Sequence, residues 1–154
     1  MTTKQTHHLP EVFARLGQHD QHPWTPLPWK GIYNKVLYFD RITGATIELA
    51  KVEKGAEFPE HYHPTMQTLF LVSGKLRSRD TVITPGTFNV IPAGQVHGPF
   101  FAEEESIQFK YFSAVPVYFL KDGSCHCYKE DGRTFNLNDP ATLKEILTKE
   151  NILR

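Results

Sequence analysis

From Gly31 onward the chain is cut by Gly, Pro or Asp at intervals of roughly 8–12 residues, the spacing of an all-β sandwich or barrel. The runs between these cuts are too short for ordinary helices and rich in β-branched and aromatic side chains, which suit a pleated, half-buried surface. They predict strands at Tyr33–Phe39, Thr46–Val52, Phe58–His63, Gln67–Val72, Leu76–Arg79, Thr81–Thr84, Thr87–Ile91, Ile107–Phe112, Val117–Leu120 and Cys125–Tyr128. Turns are expected at Asp40–Gly44, Ser73–Gly74 and Lys121–Gly123. Ahead of the strands, His22–Gly31 holds three prolines and both tryptophans. Proline lacks the N–H that a helix or a central strand requires, so this stretch reads as an extended arm packed by its indole rings. Pro10–Gly17 fits one or two helical turns. Pro140 opens an amphipathic helix over Asn138–Glu150, with Leu143, Ile146 and Leu147 on one face.

The 154 residues suffice for one domain with a real core, and two would not fit comfortably. Seventeen Lys and Arg balance seventeen Asp and Glu, which argues against a nucleic-acid or anionic-membrane partner and favours a small-molecule one. No run approaches the roughly 18 apolar residues of a membrane span, and the polar start lacks a signal core, so a cytoplasmic protein is expected. Cys125 and Cys127 lie two apart on a predicted strand, too far for an easy disulfide. They read as small buried side chains, with a metal or redox pair beside His126 as the other reading.

Three of the eight histidines fall in the β-rich middle, His61 and His63 in Glu60-His-Tyr-His-Pro64 and His97 after Pro92-Ala-Gly94. On a strand His61 and His63 project to one side, so both imidazoles can reach one ion at about 2.0–2.1 Å. Pro64 turns the strand, and Gln67 begins the next with its amide returning toward the same ion. The frame is Gly55-x5-His61-x-His63-x3-Gln67-x6-Gly74, then Gly86-x5-Pro92-x-Gly94-x2-His97. Three neutral imidazoles and a neutral amide leave a divalent ion's charge uncompensated, so the ion is strongly electrophilic and favours an anionic ligand.

In these two framed segments the chain resembles the cupin superfamily, which implies a jelly-roll β-barrel. On that resemblance the arm covers about residues 1–30, the barrel about 31–121 and a C-terminal extension about 122–154 of a single domain. The family's motifs place Glu where this chain has Gln67, and Asn where it has Phe101. The Trp24-x-Pro26 entry, Asp40-x-x-Thr-Gly44 and Val117–Gly123 extend the likeness to small single-domain cupins that include dihydroxyacetophenone dioxygenase and acetylacetone dioxygenase. That likeness implies an iron(II) site on His61, His63 and His97, and dioxygen-dependent carbon–carbon cleavage of a chelated diketone or hydroxyketone. The residues themselves leave zinc, manganese, nickel and copper open. It also implies a homodimer. Two other readings stand beside it. Cupins that linearise unsaturated uronates resemble this chain in pairing three His with Gln, but should have a polar pocket. The other is a non-catalytic metal- or ligand-binding cupin: the cupin half of zinc-binding anti-sigma factors looks similar, and although the roughly 30 residues before the barrel are expected to leave no room for their helical partner domain, a free-standing binding protein without turnover stays open.

Strand alternation fills in the expected pocket. Leu69 and Leu71 follow Gln67 inward, and Gln108 and Lys110, being polar, are expected outward, leaving Ile107, Phe109 and Tyr111 inward. The metal would then sit among apolar and aromatic groups. Leu69, Phe101, Phe109 and Tyr111 are the expected substrate contacts, Phe101 at the mouth and Tyr111 as a hydrogen-bond donor. Gln67 is expected to ligate weakly or to hydrogen-bond beside the ion. Glu57 shares parity with His61. Lys75, Arg77 and Arg79 read as a solvent face, and Glu103–Glu105 as a charged loop.

Overall fold

The computed structural model describes residues 19–142 and residue 144. Residues 140–142 and 144 are helical; the rest of the predicted terminal helix, with Leu143, Ile146 and Leu147, and the turns read at Pro10–Gly17 lie outside the described residues. The strands are β1 (Thr25–Pro26), β2 (Ile32–Phe39), β3 (Thr46–Val52), β4 (Glu57–Phe58), β5 (His61–Tyr62) and β6 (Gln67–Ser78). They continue as β7 (Thr81–Ile83), β8 (Phe88–Ile91), β9 (Phe100–Phe112), β10 (Val117–Leu120), β11 (Cys125–Tyr128) and β12 (Thr134–Asn136). All pairings are antiparallel. The larger sheet runs β1-β2-β3-β9-β6-β7, with β4 also on β9 and β8 on β6, and the smaller runs β12-β11-β10-β5. Among the described residues no helix is long and apolar enough to cross a membrane.

The core lies where the two sheets meet. Leu71, Leu76 and Phe112 of the larger sheet and Tyr118 and Tyr128 of the smaller are almost fully buried in one cluster with Phe58 and Val52. Each such side chain contributes roughly 1.5–3 kcal/mol on leaving water. The Pro/Trp arm closes this cluster. Its prolines confine it to the sheet edge, where Thr25–Pro26 pairs with Tyr33–Asn34, and Trp29 lands 5.1 Å from the Phe58 ring and 5.6 Å from Tyr118. Trp24 takes the ammonium groups of Lys35 and Lys51 over its ring at 4.8 and 5.1 Å.

Several boundaries differ from the sequence reading. The predicted strand Phe58–His63 is two, because the chain crosses between sheets at Pro59–Glu60: β4 pairs with β9, and β5 with β10. The predicted strands Gln67–Val72 and Leu76–Arg79 are one, β6, with register shifts on either side of Gly74 in place of a turn. The acidic run Glu103–Glu105 is strand and not loop, since β6 offers it partners: Glu103 pairs with Lys75 at 2.8 Å and with Arg77. Arg79 pairs with Glu60 at 2.9 Å. Cys125 and Cys127 are free, burial raises both thiols, and the ring of His126 packs on Trp29.

The largest correction concerns β9. Ser106, Gln108, Lys110 and Phe112 face the interior, whereas Phe109 is 38% exposed and Ile107 and Tyr111 are half-buried. The cross-strand register gives the reason. Lys110 stands opposite the fully buried Glu48, while Phe109 joins Phe70 and, beyond it, Phe88 in an aromatic row on the outer face. Each side chain has a better partner on the face opposite to the one its polarity predicts.

Candidate metal centre

Local geometry brings the three histidines together from two segments. Pro59 precedes β5 and Pro64 follows it, so the strand is short, and alternation buries His61 and His63 while exposing Tyr62. His97 arrives opposite His61 through a two-bond bridge: His61 N–H donates to the His97 carbonyl at 3.1 Å, and His97 N–H donates to that of His61 at 2.9 Å. The Pro92–Gly94 turn is tied to the same strand, Gly94 N–H donating to the His63 carbonyl at 2.7 Å. One nitrogen from each ring then lies within 4.8 Å of the others.

Hydrogen bonds settle which nitrogen points inward. The Nδ1 atoms of His61, His63 and His97 sit 2.6, 2.8 and 2.9 Å from the carbonyls of Pro59, Val117 and Gln95. A carbonyl only accepts, so each Nδ1 carries the proton and each Nε2 keeps its lone pair. All three Nε2 atoms are buried without a partner, as is Oε1 of Gln67. Four buried acceptors left unsatisfied in one place are costly unless something electropositive joins them. Burial, reinforced by the neighbouring imidazoles, holds His61 well below the usual imidazole range. Burial likewise pulls His63 down to about 3 and lowers His97. Neutral imidazoles with inward lone pairs, tautomers fixed by carbonyls, fit a divalent transition metal.

The space beside them is a cavity of about 10 Å³, the room of one ion or one water, bordered by His61, His97, Gln67, Leu69, Phe58, Phe100, Gln108 and Lys110. Of the expected site residues, His61, His97, Gln67 and Leu69 border it, and His63 belongs to the cluster without bordering the cavity. Phe101 does not: it is 40% exposed, and its neighbour Phe100 takes the inner place. Phe109 and Tyr111 also fall on the outer side of β9, so neither contacts the cavity and Tyr111 is no donor to it. Glu57 is exposed and points elsewhere. The pocket is therefore polar on one wall and not apolar throughout. Sequence reasoning missed Lys110, Gln108 and the buried Glu48 behind them. Glu48 accepts from Tyr128 Oη at 3.4 Å, Tyr128 is bonded to Tyr118 at 2.8 Å, and burial lifts the Glu48 carboxyl to about 7.

No curated protein matches the chain. Among solved structures, a provisionally assigned acetylacetone dioxygenase from Methylibium petroleiphilum PM1 superposes with a TM-score of 0.61 at 20% identity, over 82% of this chain and 90% of that one. An acetylacetone dioxygenase from Acinetobacter johnsonii gives 0.53 at 18% identity, over 82% and 85%. KdgF from Halomonas sp. gives 0.52 at 22%, over 61% and 90%. Identities this low establish a shared fold. The model of the ChrR Cupin-like domain matches residues 14–116, which take in both histidine segments and every strand of the larger sheet, so the chain belongs to that family of cupins.

Proposed function

We propose that this chain is a metal-dependent dioxygenase that binds a small diketone or hydroxyketone as its enolate and cleaves a carbon–carbon bond with dioxygen. The observation that carries the proposal is the set of three unpartnered, inward Nε2 atoms with no carboxylate among the converging groups. Iron(II) held there would supply a Lewis acid for enolate oxygens and electrons for dioxygen. His61, His63 and His97 would hold it, each ring oriented by its backbone carbonyl. Gln67 offers a neutral amide oxygen, a weak ligand that an incoming enolate can displace, while Phe58, Leu69 and Phe100 keep bulk water out. The likeness to acetylacetone dioxygenases over four-fifths of the chain supports this substrate class.

The test is elemental mass spectrometry on protein purified without chelator and under low oxygen, followed by oxygen uptake with pentane-2,4-dione. One iron per chain and substrate-dependent uptake are expected. Stoichiometric zinc, manganese, nickel or copper with no iron, and no uptake after iron loading, would overturn the proposal.

One observation favours a second reading, a non-redox isomerase or lyase acting on a small sugar acid. Gln108 and Lys110 give the cavity the polar wall that a carboxylate-bearing substrate needs. Turnover of an unsaturated uronate, followed by loss of its conjugated absorbance without oxygen consumption, would establish it.

A further inference from the structure

A lysine buried between two sheets demands an account, and this one borders the histidine cluster. Lys110 is 3% exposed and forms part of the cavity wall with His61, His97 and Gln67. Its Nζ lies 4.8 Å from the centre of the Phe58 ring, which is itself 4.9 Å from that of His61. Burial works against its charge and the carboxylate of Glu48 works for it, but the two are not hydrogen-bonded. Among the described residues the ammonium has no hydrogen bond and no ion pair in contact.

Glu48 faces it across the strand pair without an ion-pair contact. Its Oε1 accepts from Tyr128, its Oε2 has no partner, and burial raises its carboxyl, which works against the negative charge that would offset the ammonium. With a divalent ion on three neutral imidazoles, the cavity would hold two positive centres and no carboxylate touching either. Charge in so dry a place is weakly screened, so an anion placed between those centres binds both strongly.

We infer that Lys110 is the anion-binding residue of this pocket, its ammonium taking one oxygen of an anionic, oxygen-chelating ligand whose oxygens also face the three imidazoles. The inference rests on the reading that His61, His63 and His97 hold a metal, and it deepens that reading by fixing the ligand as an anion. A diketone enolate and a sugar-acid carboxylate share this chemistry. Either one, being larger than the cavity of about 10 Å³, enters by displacing the Gln67 amide or the Phe100 ring.

The test compares wild type, Lys110→Met and the double variant Glu48→Gln/Lys110→Met, in which no uncompensated carboxylate is left in the core. Metal stoichiometry is measured first by elemental mass spectrometry. Anaerobic calorimetry then measures binding of acetylacetonate and of glucuronate, with imidazole as a neutral metal ligand. All three proteins should hold one metal per chain. At least one anion should bind wild type, and bind both variants at least tenfold more weakly, while imidazole affinity changes less than threefold. Acetylacetonate as the responding anion identifies the enolate source, and glucuronate the sugar acid. Wild-type anion affinity in either metal-loaded variant, an equal loss for imidazole, or binding of neither anion to wild type overturns the role of Lys110 alone. Absence of metal from wild type overturns the metal site and this inference with it.

Discussion

Acidifying the metal-free protein tests how the three imidazoles are held. His63 titrates at about 3 in the folded chain against an ordinary 6.5, and His61 lies well below 6.5 too. When a folded-state pKa is depressed, the unfolded chain takes up the proton first, so the stability present above 6.5 drains away as pH falls below it. From about pH 7 to about pH 5.5 each such imidazole removes about 1 kcal/mol. His97, also lowered, adds in the same direction. Glu48 opposes them. Its carboxyl sits at about 7 when folded and 4.5 when not, so the native state holds the proton first as pH falls. Over the same interval that returns about 1.5 kcal/mol. His61 and His63 by themselves outweigh the one carboxyl, for a net loss of at least about 0.5 kcal/mol, or at least about 1 °C in Tm for a chain of this size, and the lowered His97 and His126 add to it. Urea unfolding of chelator-treated protein, followed by the fluorescence of Trp24 and Trp29, the latter packed against the core, reads it directly. Glu48→Gln should make the acid loss steeper by about 1.5 kcal/mol, since the opposing group is gone. Equal or greater stability at the lower pH would refute the assignment of buried, neutral histidines.

Three further outcomes are expected. His61→Ala, His63→Ala and His97→Ala should each lose most bound metal by elemental analysis, and full stoichiometry in any one removes that residue from the centre. Gln67→Glu should tighten ion affinity at least tenfold, about 1.4 kcal/mol, because a carboxylate both ligates more strongly and reduces the ion's charge; unchanged affinity in a competition titration would show that the side chain at 67 does not reach the ion. Gly74 and Gly86 both have positive φ, 82° and 91°, where a side chain costs about 1–2 kcal/mol. At Gly86 a Cβ would meet open space, whereas at Gly74 it would run into the Glu105 carbonyl and lie 2.6 Å from Ser106 Cα. Gly74→Ala should therefore cost at least about 3 kcal/mol in chemical denaturation and Gly86→Ala about 1–2; equal losses would refute the claim that β9 needs this close approach.

What the sequence shows of this site is its local half. Alternation over His61-Tyr62-His63 and the stop at Pro64 follow from the backbone of a few residues, and these project as a strand requires. The place of His97 opposite His61 depends on pairing between segments 36 residues apart in the chain, which spacing suggests and only the bridge fixes. The long strands were harder to read because their continuity comes from partners: Glu103 belongs to a strand once Lys75 and Arg77 lie beside it.

The parity of β9 shows where such reading runs out. Alternation divides a strand into two faces without saying which is inside, and the usual arbiter, that polar side chains face water, fails at sites where function requires buried charge. Here the deciding residue is Glu48, more than sixty positions earlier, which receives Lys110 on the inner face. A signal was present in β3, where Glu48 shares its face with Thr46, Ala50 and Val52, all buried, so that one charged residue already lay on the face with the smaller, inward side chains. The consequence reaches the chemistry. With Ile107, Phe109 and Tyr111 inside, an ion on the three neutral imidazoles would be the one positive centre drawing an anion into an otherwise apolar space. With Gln108 and Lys110 inside, the same imidazoles face amide and ammonium donors, and the proposed preference for an anion rests on which face of β9 turns inward.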